Sequence, residues 1–397
     1  MTESTFAIHQ SSCKNPKVSG IYIHIPFCKQ ACSYCDFYFL TRGELRQPFV
    51  DALVSEIESY RSSTFTKETV RTIYMGGGTP SLLNQQQLES IFEALHEVFD
   101  INAVEITMEL NPDDVTPDYL SMIQNLGVNR ASMGIQSFDK KLLEFMHRAH
   151  NPEEAFKALK ALQNTGFPSF TADLIYGNPG QSLEILERDI DKLLRFDPPH
   201  ISAYSLTVEP NTRLGKQVEL GRIKAPGDDH VSEHFDLVRE KLAGAGIEQY
   251  EVSNFSKPGK EAVHNSNYWN HENYVGLGPS AHSFWWDEAG ASRWQNQANL
   301  KKYLNNKPEV YREEEEKLSK NSLAEERLML GLRTKWGISK ENIRERYGYR
   351  FTNSQQEWMN KQIENGFLKK NEDVLRMTTE GLKISDHLIV DLLSKSE

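Results

Sequence analysis

The chain has 397 residues, 38% hydrophobic and 25% charged, with 56 acidic against 45 basic side chains and a formal net charge of −11. That composition is of the globular kind, long enough for one large domain and a smaller one. The acidic balance argues against a nucleic-acid partner, which a basic face would grip. Apolar runs such as Ile21–Phe27 fall far short of the roughly 20 residues that cross a bilayer, so an integral membrane protein is not expected.

The opening residues, MTESTFAIHQSSCKNPK, hold no apolar core of the secretory kind. Residues 1–18 therefore read as a polar tail, and the expected location is the cytoplasm. Over residues 19–255, strand-like and helix-like segments alternate. Short, partly β-branched apolar runs at Ile21–Ile25, Arg71–Met75, Glu105–Leu110, Ala131–Ile135, Phe170–Tyr176 and Ile201–Leu206 predict six buried strands. Between them, Phe49, Leu53, Ile57 and Tyr60, and then Ile91, Leu95 and Phe99, recur at helical spacing. Asn151-Pro152-Glu153-Glu154 predicts a capped helix start, and Gly127, Gly166 and Gly246 mark helix ends. A further apolar stripe, Val231, Phe235, Val238 and Leu242, predicts a helix within Asp228–Gly246.

Alternating strands and helices imply a parallel sheet with right-handed crossovers. The predicted fold is α/β, a partial (β/α)6 TIM-type barrel, with chemistry at the C-terminal ends of its strands. Residues 256–317, rich in Asn, His, Trp, Gly and Pro, read as a connecting segment of loops and short strands. Residues 318–397 turn helical again and end in a predicted hairpin, as in a small, mainly helical, winged-helix-like domain.

Of the four cysteines, Cys28, Cys32 and Cys35 fall within eight residues, directly after the first strand. Clustered thiols in a reducing compartment point to metal or redox chemistry rather than a disulfide framework. With three and two residues between them, they can wrap a cubane cluster from one loop and leave one iron open. Buried reduced thiols, or a zinc knot completed by His24, are the plainer readings. Cys13, in the tail, is a weak further ligand. Phe27, Tyr34, Phe37, Tyr38 and Phe39 supply aromatic bulk that would limit water around such a site.

Gly76-Gly77-Gly78-Thr79 follows the second strand, where glycines let backbone approach a ligand closely. Glu109, Gln136 and Asp173 then sit in or at the ends of successive strands, and Arg148 in the loop after the fourth. Such residues converge on one cavity in a barrel, although each taken alone is better read as a structural hydrogen-bond or ion-pair residue.

The run His24 to Phe37 resembles the signature of the radical S-adenosylmethionine (SAM) superfamily. The resemblance implies a [4Fe–4S] cluster on Cys28, Cys32 and Cys35 whose open iron chelates SAM. It also implies that Gly77, Gly78 and Thr79 belong to the motif meeting the SAM amino group. Glu109, Gln136, Arg148, Asp173 and Tyr22 match the subfamily that includes oxygen-independent coproporphyrinogen III oxidase, in which they line the SAM region. Two features point within that subfamily to its heme-chaperone branch. The oxidase carries a fourth cysteine where this chain has Phe37, and His264-Asn265-Ser266-Asn267-Tyr268-Trp269 looks like the HNxxYW motif of the chaperones.

The branch implies heme as a further ligand met by this segment, and His264 is the candidate for its iron ligand. A neutral imidazole suits heme iron, and Tyr268 and Trp269 suit a porphyrin face. The plainer reading is that His264 caps a loop while the aromatics pack. The implied partners are heme and heme-accepting respiratory or membrane-associated proteins, with a homodimer as the implied assembly. The alternative is the oxidase of porphyrin biosynthesis, and no residue is assigned a catalytic role.

Overall fold

The computed structural model describes residues 18–396 apart from 289 and 314. The polar tail and its Cys13 lie outside the described residues. Strands β1 (Val18–Ile25), β2 (Thr69–Gly77), β3 (Ile101–Leu110), β4 (Arg130–Gln136), β5 (Ser169–Tyr176) and β6 (His200–Ser205) run parallel and neighbour one another in sequence order. Helices α1 (Arg46–Ser59), α2 (Gln85–Val98), α3 (Pro117–Asn125), α4 (Lys140–Phe145), α5 (Pro152–Asn164) and α6 (Leu183–Leu194) supply the crossovers. The expected incomplete six-stranded barrel is therefore what the chain forms, and its sheet stays open.

Local chemistry accounts for these elements. Capping boxes start α2 (Asn84 with Gln87) and α5 (Asn151 with Glu154), the latter with proline in its first turn. Gly127, Gly166 and Gly246 all take positive φ just past helix ends. Along β1, apolar Ile21, Ile23 and Ile25 alternate with Tyr22 and His24. Ile21, Ile23, Ile25, Ile73, Met75, Ile106 and Met108 share one core with Phe49, Leu53 and Ile57 of α1 and Leu88, Ile91 and Leu95 of α2. The intervening positions are polar or aromatic and cross-register: Tyr22 with Tyr74, His24 with Gly76, Glu109 with Ser132, Asp173 with Ser202.

Beyond β6 come α7 (Arg213–Glu219), α8 (Asp228–Gly244), β7 (Glu248–Gln249) and β8 (Asn254–Ser256), with β8 antiparallel to β6. Next are α9 (Val263–Trp269), β9 (Asn273–Leu277), β10 (His282–Trp286), β11 (Ala291–Gln295), α10 (Leu300–Asn305), α11 (Pro308–Tyr311) and β12 (Glu316–Leu318). This segment does more than connect. β9 pairs parallel with β1, and β10 to β12 extend the sheet to twelve strands. A buried carboxylate fastens it: Glu56 of α1 accepts from Gly278 N–H at 2.8 Å, Asn296 Nδ2 at 2.7 Å and the Tyr303 hydroxyl at 2.7 Å.

The last part has its own core, centred on Leu323, Leu328, Trp358, Leu375 and Leu388. It comprises α12 (Lys320–Leu332), β13 (Ile338–Ser339), α13 (Lys340–Tyr347), α14 (Asn353–Glu364), a hairpin of β14 (Leu368–Asn371) and β15 (Val374–Met377), then α15 (Thr379–Lys383) and α16 (Ser385–Leu393). Helix followed by hairpin is the winged-helix order expected from the sequence. Among the described residues, no helix is long and apolar enough to cross a membrane.

Candidate functional site

The loop after β1 is pinned at its base, where Leu40 N–H donates to Pro26 O at 2.7 Å and Cys28 N–H to Leu40 O at 3.0 Å. Further along, Ser33 N–H donates to Met146 O at 3.0 Å and Leu214 N–H to Ser33 O at 2.7 Å. Lys29 reaches Asp113 at 2.8 Å. So held, Cys28, Cys32 and Cys35 are half-buried free thiols that rim a cavity of about 480 Å³. Burial pushes the Cys28 thiol up to about 12 and that of Cys35 to about 11. Among the described residues, no three His, Cys, Asp or Glu side chains converge tightly enough for a single metal ion. The three thiols stand instead around the mouth of this cavity. The aromatic sealing expected of Phe37 does not occur: its side chain is 67% exposed.

The same cavity gathers Gly77, Gly78, Thr79, Glu109, Gln136, Arg148 and Asp173. A chain of hydrogen bonds crosses it between two thiols. Arg148 Nη1 donates to Cys32 Sγ at 3.4 Å and its Nη2 to Asn111 Oδ1 at 2.8 Å. Asn111 Nδ2 donates to Thr79 Oγ1 at 3.1 Å, and Thr79 to Cys28 Sγ at 3.6 Å. Although burial opposes its charge, Arg148 is held above its ordinary pKa by Tyr34 and Cys32.

Glu109 is gripped by the Tyr74 hydroxyl at 2.7 Å and by Gly77 N–H at 3.1 Å, yet burial raises its carboxyl to about 7. Burial likewise takes Asp173 to about 6, against hydrogen bonds from Ser202 and Ser132. Asp173 Oδ1, Gln136 Oε1 and Arg148 Nε are buried without a partner, polar atoms that a polar ligand would satisfy. Gln136 adopts φ 64 at the end of β4, where the register with β5 shifts. At Gly78 a Cβ would stand 2.6 Å from the carbonyls of Ile25 and Phe27, so only glycine lets this turn close on the thiol loop.

Tyr22 stands apart from this set. It lines a second, larger cavity of about 790 Å³ that shares Phe37, Tyr74, Gly77, Glu109 and Tyr204 with the first. Tyrosines and phenylalanines, among them Tyr38, Tyr268, Tyr274 and Phe284, line that space together with the carboxylates of Asp36, Glu109, Glu272 and Glu326. Tyr74, Tyr204 and Asn111 were not singled out from the sequence. Tyr74 could have been found by counting back two from Gly76, and Asn111 by its place after Glu109 in the Glu-Leu-Asn-Pro turn.

The HNxxYW segment forms α9, whose first N–H groups donate to the buried Glu105: Val263 and His264, both at 2.9 Å. His264 lies behind the cavity wall, 1% exposed, with Nδ1 engaged by Thr72 Oγ1 at 2.8 Å and Nε2 by Tyr268 OH at 2.7 Å. Burial takes its pKa down to about 3. Asn265 and Tyr268 face the large cavity, and His264 does not line it. The expected iron-ligating imidazole is thus committed to two internal hydrogen bonds.

A parallel barrel whose strand ends meet three loop thiols and a glycine turn defines a protein of the radical SAM class. The Radical SAM superfamily matches residues 22–193, and the HemN C-terminal domain matches residues 318–384. The heme chaperone HemW of Lactococcus lactis is 34% identical, over 95% of this chain and 98% of its own. Its namesake in Bacillus subtilis is 35% identical over 92% and 96%, and that of Escherichia coli 39% over 68% and 70%. The solved structure of E. coli coproporphyrinogen III oxidase (HemN), titled a radical SAM enzyme, shares the fold at a TM-score of 0.81 and 22% identity, over 95% of this chain and 90% of that one. The chain belongs to the HemW family of radical SAM proteins.

Proposed function

We propose that this protein is a heme chaperone that carries a [4Fe–4S] cluster, SAM and heme, and hands heme to heme-accepting respiratory or membrane-associated proteins. The observation that carries the reading is the adjacency of two cavities, one rimmed by thiols and polar strand ends, the other lined by aromatics and carboxylates, with Tyr74, Gly77, Glu109 and Tyr204 common to both.

Cys28, Cys32 and Cys35 would hold the cluster. Gly77, Gly78, Thr79, Glu109, Gln136, Arg148 and Asp173 would hold SAM, while Tyr22 lines the neighbouring larger cavity. When bound, the cluster and SAM together supply one-electron chemistry. The chain's own residues orient and shield. Arg148 and Thr79 donate to two of the sulfurs, which tunes a cluster's potential and fixes the loop. Glu109 and Asp173 offer carboxylates to cationic groups, and Gly77 holds Glu109 in place. The aromatic side chains lining the larger cavity suit a flat, largely apolar macrocycle.

The enzyme reading, oxidation of coproporphyrinogen III, draws on the shared fold of HemN. Against it stands Phe37, exposed where the oxidase has a fourth cysteine. One sample decides between them: anaerobic reconstitution, then heme titration and a coproporphyrinogen assay side by side. Stoichiometric heme binding without vinyl product supports the chaperone, and turnover without retained heme overturns it.

A further inference from the structure

Three histidines line the large cavity: His24, His271 and His282. Two of them are spoken for. His24 donates Nε2–H to Tyr38 O at 2.8 Å and accepts the Tyr22 hydroxyl at Nδ1 at 3.0 Å. His271 is bound by Glu326 at 3.1 Å and by Tyr347 OH at 3.2 Å. The fourth nearby imidazole, His264, is walled off and doubly bonded, as described above. His282 differs from all of them. It is open to the cavity, and its ring makes no hydrogen bond to the described residues.

The backbone that carries His282 is firmly built. Gly278 and Ser280 take φ 91 and 69 in the turn before β10, and Ala281 O accepts from Asn296 N–H at 2.9 Å. Opposite, a Cβ at Gly276 would meet His282 O at 2.0 Å, so strand β9 packs directly on this residue. Two residues on, Phe284 shares its face, flanked by Tyr274 of β9 and Arg293 of β11. A free imidazole, an aromatic floor and a guanidinium thus stand together on one face of the sheet.

Resting on the heme reading above, we infer that His282 is the axial ligand to iron of a porphyrin in this cavity, and that His264 is a positioning residue that orients Tyr268. An axial ligand needs an unprotonated nitrogen lone pair with no competing bond. Burial and Arg293 lower the pKa of His282 and favour that form. Arg293, already paired with Glu326 at 2.6 Å, keeps positive charge beside the floor, where a porphyrin carboxylate would be welcome.

The test titrates ferric heme and metal-free protoporphyrin into the full-length protein and into H282A and H264Q, with electron paramagnetic resonance and the Soret band reporting ligation. In the wild type we expect an imidazole-ligated spectrum. H282A should lose it and weaken heme about tenfold or more, with metal-free porphyrin changed by less than about twofold and the spectrum restored by added imidazole. H264Q should keep imidazole ligation. If H282A retains the wild-type spectrum and affinity, or if H264Q alone loses imidazole ligation, the assignment is overturned while the heme reading stands. If the wild type binds neither porphyrin stoichiometrically, the heme reading itself fails.

Discussion

Tyr74 donates its hydroxyl to Glu109 at 2.7 Å, across the neighbouring strands β2 and β3, at the point where the two cavities meet. The bond opposes the burial that raises Glu109 to about 7, and does so incompletely. Near neutral pH the carboxyl is therefore poised between its two forms.

A cationic ligand needs Glu109 ionised, so its binding must expel a proton wherever the free protein holds one. Below about pH 7, SAM affinity should fall, by up to about tenfold per pH unit. In E109Q the affinity should be weaker throughout, and this slope should flatten. Isothermal titration of the reconstituted protein between pH 6 and 8 checks it, and an unchanged slope in E109Q would remove Glu109 from the site.

The same carboxyls bear on stability. Glu109 at about 7 and Asp173 at about 6 are raised above their unfolded values, so the stability they contribute is complete at low pH and is lost as pH rises through those values. Without SAM, the protein should therefore lose stability between about pH 5 and 7, and E109Q should lose less. Thermal melts across that range give the comparison.

The six strands and the thiol loop could be read from the sequence because their signals are local. Ile21, Ile23 and Ile25 announce a strand on their own, and three cysteines within eight residues announce a ligand loop. Which face of each strand looks inward could not be read so directly. Tyr74 and Tyr204 reach the site because the register of the sheet sets Tyr74 opposite Thr107 and Tyr204 opposite Ile175, each two residues from Glu109 or Asp173 on the same face. Tyr22 shows the same difficulty in reverse: its strand was legible, but the cavity it lines was not. His264 was drawn toward heme by its motif, whereas its partner Thr72 lies 192 residues earlier in the chain. A pairing that distant leaves no local trace.

The cluster ligands admit a direct count. With Cys28→Ala, one of three thiolates is lost from a site that already offers fewer than a cubane's four irons can bind. Iron after anaerobic reconstitution should fall from about four to below one per chain, with the brown chromophore gone. Iron content equal to that of the wild type would mean the loop does not hold the cluster.

Glu56 tests how the β9–β12 extension is held. Removing it leaves Gly278 N–H, Asn296 and Tyr303 without their shared acceptor in a buried site. E56A should cost at least about 3 kcal/mol in urea unfolding, since each unsatisfied buried donor costs about 1–3 kcal/mol. E56Q keeps an acceptor oxygen and should cost less. A cost below about 1 kcal/mol for E56A would mean that the extension is fastened elsewhere.

His264 and His282 should part company in stability as they do in ligation. His264→Ala empties a buried space and strips the Tyr268 hydroxyl of its partner, a loss of about 2–4 kcal/mol. The His282 ring is open to the cavity and makes no hydrogen bond to the described residues, so His282→Ala should stay within about 0.5 kcal/mol of the wild type. Folding and ligand binding then report on different residues. A fall in heme binding in His264→Ala that tracks its lost stability, and recovers at lower temperature, marks a scaffold. Lost heme binding in a fully stable His282→Ala marks a residue kept for its ligand. If instead His264→Ala is as stable as the wild type, its two hydrogen bonds do not hold α9 in place, and its imidazole is free for other work.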